Sequence, residues 1–357
     1  MSSRMSTSTT TITSRKDLFV FLLLLSLSFF FLLSSFFVLV RPLSFFFFLF
    51  PFFFLFILLL SSSSFFLLLK FSSSSCDFLS HLTWEHRRPL LHQHFTSINS
   101  DVICLQEVQR TQYETDFLAF FRTLGYEGML QDTTNDVAVA TFYKTSKFTL
   151  NWNECRSRVM LTSLCMKVTE GEQEEQTSFS VSVIVCNVHL HSNPNEKATR
   201  FTQIKSMLKR CEARLARSTM AEAPIVVCGD FNSSIEEGAS RTLMDGELTP
   251  EFREEGVQTT KEHFKHPFRF FDVHAKAEKR HPTFVVTDAT YTIDQMFATV
   301  DLFDTVGLLS IKQKEMAEIM ETKLPNHFHA SDHLPVGCVL ELTQKALEIH
   351  RRKATKT

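Results

Sequence analysis

The sequence from about residue 81 onward predicts an α/β sandwich, with strands and helices interspersed along the chain. Short apolar runs rich in β-branched residues, such as those within 100–109 and 223–230, are typical of buried strands. Apolar residues at helical spacing separate many of these runs. Several strands are followed directly by acidic, amide or imidazole side chains. We therefore expect the fold to gather polar groups at strand ends.

Three segments have the apolar spacing of helices, namely residues 88–98, 111–124 and 197–217. The third is amphipathic over its whole length. The apolar stripes consist of Leu90, Leu91 and Phe95 in the first segment and of Phe117, Phe120, Phe121 and Leu124 in the second. We expect these stripes to pack against the sheets.

Alternating or continuous apolar patterns predict further strands. Residues 136–144 and 158–168 alternate like neighbouring strands, and the acidic residues 170–176 are expected to form a solvated turn. Residues 241–279 follow no single pattern. The remaining strands are expected within 178–191, 282–286, 291–299 and 335–342.

Charge and cysteine content limit the class of protein. The formal net charge is -2 and the sequence pI is about 6.7, whereas proteins that bind nucleic acid mainly by counterion release are strongly basic. Binding of RNA would therefore depend on a local site. The eight cysteines include no CxxC pair, which argues against a zinc site and favours a reducing compartment.

The first 80 residues consist largely of Phe, Leu and Ser. Residues 18–40 and 42–69 carry no charge, and each is long enough to span a membrane as a helix. However, Phe, Leu, Ser and Pro are the residues encoded by pyrimidine-only codons, so a translated polypyrimidine tract is the alternative. We expect residues 1–80 to be such a gene-model artefact or a membrane anchor, 81–345 a globular domain and 346–357 a basic tail. The protein is then cytoplasmic or nuclear, or membrane-associated if the anchor is genuine.

Polar residues with no evident structural role follow the predicted strands. Burying a charge at a strand end is unfavourable unless the charge is paired or binds a metal. Carboxylate and amide oxygens suit Mg²⁺, which keeps several waters and takes one or two protein carboxylates. The residues concerned are Glu107, His189, Asp230, Asn232, Asp294, Asp332 and His333.

These residue types favour metal-assisted hydrolysis of a phosphate ester. Glu107, with Asp230 or Asp332, would hold Mg²⁺ against a phosphate oxygen. His333 would act as a general base on water, with Asp294 fixing its tautomer.

Two further residues would contact the phosphate. Asn232 and His189 would donate hydrogen bonds to it, or Asn232 would orient the nucleophile. Taken singly, each polar residue has an ordinary alternative, such as a helix N-cap at residues 331–333 or a turn at Asp230. Their occurrence together carries the hypothesis.

The ordered blocks resemble the endonuclease/exonuclease/phosphatase superfamily, in the branch that contains the carbon-catabolite-repressor deadenylases, nocturnin, angel and the 2',5'-phosphodiesterases. The blocks are "SDVICLQEV", "CNVHL", "IVVCGDFNS", "YTIDQMF" and "LPNHFHASDHLPVG", preceded by "TWEHRRPLL". The resemblance covers residues 83–342. It implies a four-layer, DNase I-like α/β sandwich of two packed mixed β-sheets flanked by helices, with the site at one end.

The resemblance also implies a role for each polar residue. The implied metal ligands are Glu107, Asp332 and Asp230, the catalytic residues are His333, Asp294, Asp230, Asn232 and His189, and the substrate-binding residues are Pro194, Asn232 and His189. Pro194 matches a proline that packs on the terminal base in the deadenylases, although a proline here would also open a loop. The implied cofactor is Mg²⁺, which Mn²⁺ could replace, and the implied partner is RNA, as poly(A) or a short oligonucleotide.

The sequence departs from the family pattern in two places. An aromatic residue that sandwiches the base in the deadenylases is replaced by Ala289, so Phe284 or Tyr291 would have to substitute for it. The family domain opens with a strand that ends in an Asn near the metal site. Here the first Asn of the chain is Asn99, so that strand and its Asn are missing or replaced.

Residues 261–271 interleave basic and aromatic side chains. They would either stack RNA bases or pack Phe268 and Phe271 into the core.

The leading hypothesis is a 3'-5' exoribonuclease of the deadenylase type, active in mRNA decay. A 2',5'-phosphodiesterase or a nucleotide phosphatase with the same site is the alternative enzyme. A catalytically dead binding protein or membrane-anchored scaffold is the alternative from another class, because the opening strand is missing or replaced and the N-terminal segment is hydrophobic. No leucine-rich or other docking repeat is visible in the sequence.

Replacement of either principal carboxylate tests this hypothesis. Glu107→Ala and Asp230→Ala are each expected to abolish turnover and to leave folding largely intact, because each removes a metal ligand at a strand end. Hydrolysis rates and circular dichroism spectra measure the two effects. Mg²⁺-dependent hydrolysis retained by either variant would show that the ion is placed wrongly.

Overall fold

The computed structural model describes residues 18–24, 81–170, 177–218 and 222–354, the first of these ranges as backbone. Residues 171–176 of the expected acidic turn lie outside the described residues, as does most of the Phe/Leu/Ser segment.

Two six-stranded mixed sheets form the centre of the domain. The first sheet contains β1 (Leu18–Leu24), β2 (Val102–Gln109), β3 (Tyr126–Leu130), β4 (Val137–Lys144), β17 (Phe303–Leu308) and β18 (Val336–Leu342), in the order β17-β18-β1-β2-β4-β3. The second sheet contains β5 (Phe148–Arg156), β6 (Val159–Glu170), β7 (Thr177–His189), β8 (Ile225–Asp230), β13 (Phe270–Asp272) and β16 (Asp294–Thr299), in the order β13-β16-β8-β7-β6-β5.

Short two-stranded ribbons complete the strands of the described residues. They are β10 (Arg253–Glu254) with β11 (Val257–Gln258), β9 (Glu247–Leu248) with β12 (Phe264–Lys265), and β14 (Phe284–Val286) with β15 (Ala289–Tyr291).

The two sheets pack against each other through one apolar core. Because side chains alternate along a strand, β7 serves two layers. Val181, Val183 and Val185 face the inter-sheet core, whereas Ile184 and Cys186 belong to the core between the second sheet and its helices.

Helices cover the outer faces of both sheets. The first sheet packs against α1 (Trp84–Ile98) and a helical stretch formed by α2 (Arg110–Gln112), a π-helical segment (Tyr113–Leu118) and α3 (Ala119–Thr123). The second packs against α4 (Lys197–Arg217) and α5 (Gly238–Asp245). The remaining helices are α6 (Gln313–Thr322) and α7 (Gln344–Ala354). The expected four-layer sandwich is confirmed.

Several local expectations were wrong. Residues 136–144 and 158–168 are not neighbouring strands, because β4 pairs with β2 and β3 whereas β6 pairs with β5 and β7 in the other sheet. An alternating pattern reports burial of a strand and carries no information on its partner. Leu124 does not belong to the apolar stripe, because the helix ends at Thr123 and the Leu124 side chain is 37% exposed.

Described elements lie on both sides of the expected span 81–345. Strand β1 lies inside the first uncharged run, where it pairs parallel with β2 and antiparallel with β18. It thus occupies the place between β18 and β2 in the first sheet. At the other end, residues 346–354 do not form a tail, because α7 buries Ala346, Leu347 and His350 against the sandwich.

Among the described residues, no helix combines the length and the apolar character needed to cross a membrane.

Gly229 should be the least replaceable glycine of the fold. Its φ is +150°, and a Cβ atom would lie 1.9 Å from the carbonyl oxygen of Val188 on the neighbouring parallel strand. Gly229→Ala should lower the free energy of unfolding by about 3 kcal/mol or more, measured by urea denaturation. Gly256→Ala is the matched control, because Gly256 has a φ of +81° but open space around it. That variant should lose only about 1–2 kcal/mol. Equal losses in the two variants would contradict the steric argument.

Candidate active site

Three adjacent strands of the second sheet place polar residues side by side as cross-strand neighbours. In the register of the sheet, His189 at the end of β7 pairs with Asp230 at the end of β8, and Asp230 pairs with Asp294 at the start of β16. All three side chains are largely buried. The strand ends predicted to carry chemistry therefore meet at one edge of this sheet.

Glu107 approaches the same place from the other sheet. The pairing of β2 with β4 shifts register between Leu105 and Val108, which is a β-bulge, and Glu107 inside it has a φ of +54°. Glu107 Oε1 lies 3.5 Å from His189 Nε2, which in turn lies 3.9 Å from Asp230 Oδ2. The site therefore lies where Glu107 of the first sheet meets His189 and Asp230 of the second sheet. We call this place the seam between the sheets.

The Asp-x-Asn segment is closed by its own hydrogen bonds. The Asn232 backbone N–H donates to Asp230 Oδ1 at 2.7 Å, and Asn232 Nδ2 donates to Asp230 Oδ2 at 3.1 Å and to the Leu190 carbonyl at 3.0 Å. Asn232 has a φ of +48°, a conformation that Asn tolerates better than most residues. Asp230 thus fixes the orientation of the Asn232 side chain.

His333 and Asp294 form a buried pair, with Nδ1 and Oδ2 separated by 2.7 Å. Strand β14 holds the segment that carries His333, because Val285 N–H donates to the Asp332 carbonyl and Phe284 forms an isolated bridge with His333. The bond to Asp294 places the proton of neutral imidazole on Nδ1 and leaves Nε2 as the acceptor. This is the tautomer that a general base requires.

In their effect on pKa, burial and neighbouring charges oppose each other at His333 but act in the same direction at Asp230. Burial lowers the pKa of His333, but the carboxylates of Asp294, Asp230 and Asp332 outweigh it and raise this pKa to about 10. Burial, followed by repulsion from Asp294, raises the pKa of Asp230 well above its usual range. Burial also raises the pKa of Asp332.

His189 responds differently. Burial, with Arg158 and His333 nearby, lowers the pKa of His189 to about 3. Its imidazole is therefore neutral at physiological pH and can donate a hydrogen bond without carrying charge.

Arg87 is a cation of the site to which the sequence assigned no role. It lies in α1, its Nε donates to the Ala330 carbonyl at 2.6 Å, and its charge is felt by Asp332 and Glu107. Burial lowers its pKa against the influence of these carboxylates. The sequence signal is the block "TWEHRRPLL", which contains Arg87 and contributes to the family resemblance.

The donor set fits a magnesium ion. Glu107, Asp230 and Asp332 offer hard carboxylate oxygens, and Asp294 Oδ1 is buried with no hydrogen-bond partner among the residues that the structure describes. Within the described ranges, no three His, Cys, Asp or Glu side chains are arranged as a ready-made ligand set. Mg²⁺ suits such a site because it takes few protein carboxylates and retains water.

Pro194 lies in the exposed loop between β7 and α4. The buried side chain of Arg200 holds this loop, because it donates to the carbonyls of His191, Asn193 and Pro194 at 2.7–3.2 Å and pairs with Glu237 at 3.0 Å. Arg200 thus joins the loop after β7 to the loop after β8. Sequence reasoning missed it, since an Arg on an amphipathic helix is usually solvated.

The aromatic residues that the sequence suggested for base stacking divide into two groups. Ala289 leaves its position without a ring, but Phe284 and Tyr291 are cross-strand partners with rings 4° from parallel and centroids 6.2 Å apart. Phe284 lies 4.9 Å from the His333 ring, and Tyr291 is 57% exposed. Within residues 261–271, by contrast, Phe264, Phe268 and Phe270 are buried and Phe271 packs against the inter-sheet core. That segment packs into the fold rather than offering its rings to RNA.

Comparison with known proteins gives the same family. The profile of the Endonuclease/Exonuclease/phosphatase family matches residues 78–333. The chain is 26% identical over 308 residues to the CCR4-Not complex 3'-5'-exoribonuclease subunit Ccr4 of Schizosaccharomyces pombe. The alignment covers 71% of this chain and 44% of that protein. The chain is 22% identical over 285 residues to 2',5'-phosphodiesterase 12 of Mus musculus, with 73% and 46% covered. The chain thus spans less than half the length of these curated relatives.

Solved structures share the fold. ANGEL2, described as a 2',3'-cyclic phosphatase, superposes with a TM-score of 0.61 at 20% identity over 74% of this chain and 88% of its own. The human Nocturnin catalytic domain gives a TM-score of 0.52 at 17% identity over 73% and 88%. These proteins come from the branch that the sequence blocks resemble. The chain belongs to the Endonuclease/Exonuclease/phosphatase family.

Proposed function

We propose that this protein is a magnesium-dependent phosphodiesterase that releases 5'-nucleotides from the 3' end of RNA. The observation that carries the proposal is the convergence, at one seam, of a buried His333–Asp294 pair with Glu107, His189 and Asp230. A base, a neutral donor and a group of carboxylates are the parts required to drive water onto phosphorus.

His333 is the proposed base, and it would act as one once a bound metal offsets the carboxylates that raise its pKa to about 10. Asp294 accepts a hydrogen bond from Nδ1–H, so Nε2 takes the proton of the attacking water and the ionised Asp294 stabilises the imidazolium that results. The two Nδ2 hydrogens of Asn232 bond to Asp230 and to the Leu190 carbonyl, so Asn232 would either give up one of these bonds to donate to the phosphate or align the water through its Oδ1. Neutral His189 donates to a non-bridging oxygen.

Glu107, with Asp332 and Asp230, would hold the metal. When bound, Mg²⁺ supplies a Lewis acid for a phosphate oxygen and positive charge that offsets the carboxylates around His333. Arg87 contributes positive charge from the side of α1.

RNA is the proposed substrate because the Ccr4 relative is a 3'-5' exoribonuclease and because Phe284 and Tyr291 offer a ring surface beside His333. A net charge of -2 requires that this contact be local. The second candidate is a 2',5'-phosphodiesterase, favoured by the similarity to 2',5'-phosphodiesterase 12.

A substrate panel separates these functions. The full-length chain with Mg²⁺ should release AMP from oligo(A) faster than from 2',5'-oligoadenylate or adenosine 2',3'-cyclic phosphate, and EDTA should abolish release. Nucleotide products are measured by chromatography. Preference for 2',5'-oligoadenylate would replace the deadenylase assignment, and absence of hydrolysis of every substrate would favour a binding protein.

Loss of the base should slow chemistry without weakening binding. His333→Asn is expected to lower kcat on the preferred substrate by about 100- to 10,000-fold and to leave KM nearly unchanged. His263→Asn is the control, because His263 is an exposed surface imidazole paired with Glu247. A kcat that His333→Asn leaves within a few-fold of the original would exclude His333 as the base.

Tyr291 should affect binding rather than chemistry. Stacking of a base on an aromatic ring contributes about 1–3 kcal/mol, so Tyr291→Ala is expected to raise KM for oligo(A) about 10-fold, whereas Tyr291→Phe retains it. Val257→Ala, at another exposed apolar residue, is the control. An unchanged KM in Tyr291→Ala would place the base elsewhere.

A further inference from the structure

A fully buried amide, Asn187, lies in an otherwise apolar row of β7. Because side chains alternate along the strand, it continues the row of Val181, Val183 and Val185 that faces the first sheet. Burying a polar side chain in such a row is unfavourable unless its hydrogen bonds are satisfied. Neither composition nor the family blocks had assigned Asn187 a role.

The Asn187 side chain connects the two sheets through four contacts. Its Nδ2 lies 2.9 Å from the Ala140 carbonyl, 3.2 Å from the Leu105 carbonyl and 3.4 Å from Thr141 Oγ1, and its Oδ1 accepts from Gln106 Nε2 at 2.8 Å. Since an amide has only two hydrogens, the three Nδ2 contacts share them. All four partners belong to β2 or β4.

These partners surround the bulge that carries Glu107. Leu105 and Ala140 form the last regular pair of β2 and β4 before the register shifts, and Gln106 is the first residue of the shifted segment. A bulge disrupts the ladder locally, so buried carbonyls beside it need another donor. Asn187 supplies that donor, and Glu107 follows with its φ of +54°.

We propose that Asn187 is a positioning residue that locks the β2 bulge and thereby sets the affinity of the Glu107 carboxylate for the metal. The inference rests on the proposed function, in which Glu107 is the principal metal ligand. The same strand, two residues further on, places His189 against Glu107. One segment of β7 therefore fixes both the backbone and the environment of this ligand.

The test measures binding of Mn²⁺, as a substitute for Mg²⁺, to the full-length chain by isothermal titration calorimetry without substrate. Asn187→Leu keeps the branched shape and the number of side-chain heavy atoms but removes the donor and the acceptor. It should weaken Mn²⁺ binding about 10- to 100-fold, the range typical of residues that orient a metal ligand. Gln106→Leu removes one link and should cause a smaller loss, which gives a second variant if Asn187→Leu does not fold.

Melting temperatures separate positioning from stability. The double variant Gln106→Leu/Asn187→Leu leaves no unpaired amide at this place, so it should melt above Asn187→Leu while its affinity for Mn²⁺ stays low. Thr162→Val is the matched control, because Thr162 is fully buried in β6 and bonds only to Asn153 among the described contacts. It should lower the melting temperature and leave Mn²⁺ binding unchanged.

Two results would overturn the inference. Either Asn187→Leu binds Mn²⁺ as the original chain does, or the affinity of the double variant recovers together with its melting temperature. Glu107→Ala distinguishes this failure from a failure of the proposed function. If Glu107→Ala itself retains Mn²⁺ binding, the metal assignment is wrong; if only Asn187→Leu retains it, the positioning inference alone fails.

Discussion

Four carboxylates share one seam between the sheets, and the need to compensate their charge governs the rest of the site. Asp230, Asp294 and Asp332 are buried, and Glu107 is largely so. Like charges buried close together cannot all remain ionised unless cations lie among them. The carboxylates raise the pKa of His333, and burial, followed by repulsion from Asp294, raises the pKa of Asp230. A divalent cation is the group that would satisfy the remaining charge.

The sandwich explains how such an arrangement persists. Apolar side chains of both sheets pack together beside the site. The parallel pairs, β1 with β2 and β7 with β8, bring strand ends to the same edge. Polar bridges occur where the backbone departs from regular geometry, at the Glu107 bulge and at the Asp-x-Asn turn. Residues 18–24 of β1 supply backbone pairing but contain no Asn, so β1 does not provide the amide that the sequence resemblance led us to expect there.

Much of the fold and the site could be predicted from sequence because burial leaves a periodic signal. The helix at Lys197–Arg217 has the bounds that its apolar spacing indicated. His189 and Asp230 are the last residues of their strands, whereas Glu107 lies two residues before the end of β2. Strand pairing could not be predicted in the same way, since β4 and β6 read alike but lie in different sheets. Strand β1 was hidden because seven consecutive apolar residues within a longer uncharged run also fit a membrane helix.

The residues that support the site could not be predicted from the sequence for a different reason. Asn187 and Arg200 are polar side chains in patterns that otherwise indicate burial, and only tertiary contacts show what they bond to. Arg87 was visible in a motif, but its proximity to Glu107 and Asp332 depends on the docking of α1.

Location of the metal itself tests the account most directly. Crystals of the full-length chain grown with Mn²⁺ would reveal the ion by anomalous diffraction. We predict a peak within coordination distance of the Glu107 carboxylate, on the side facing His189 and Asp230. A peak held by other residues, with none at this seam, would contradict the account.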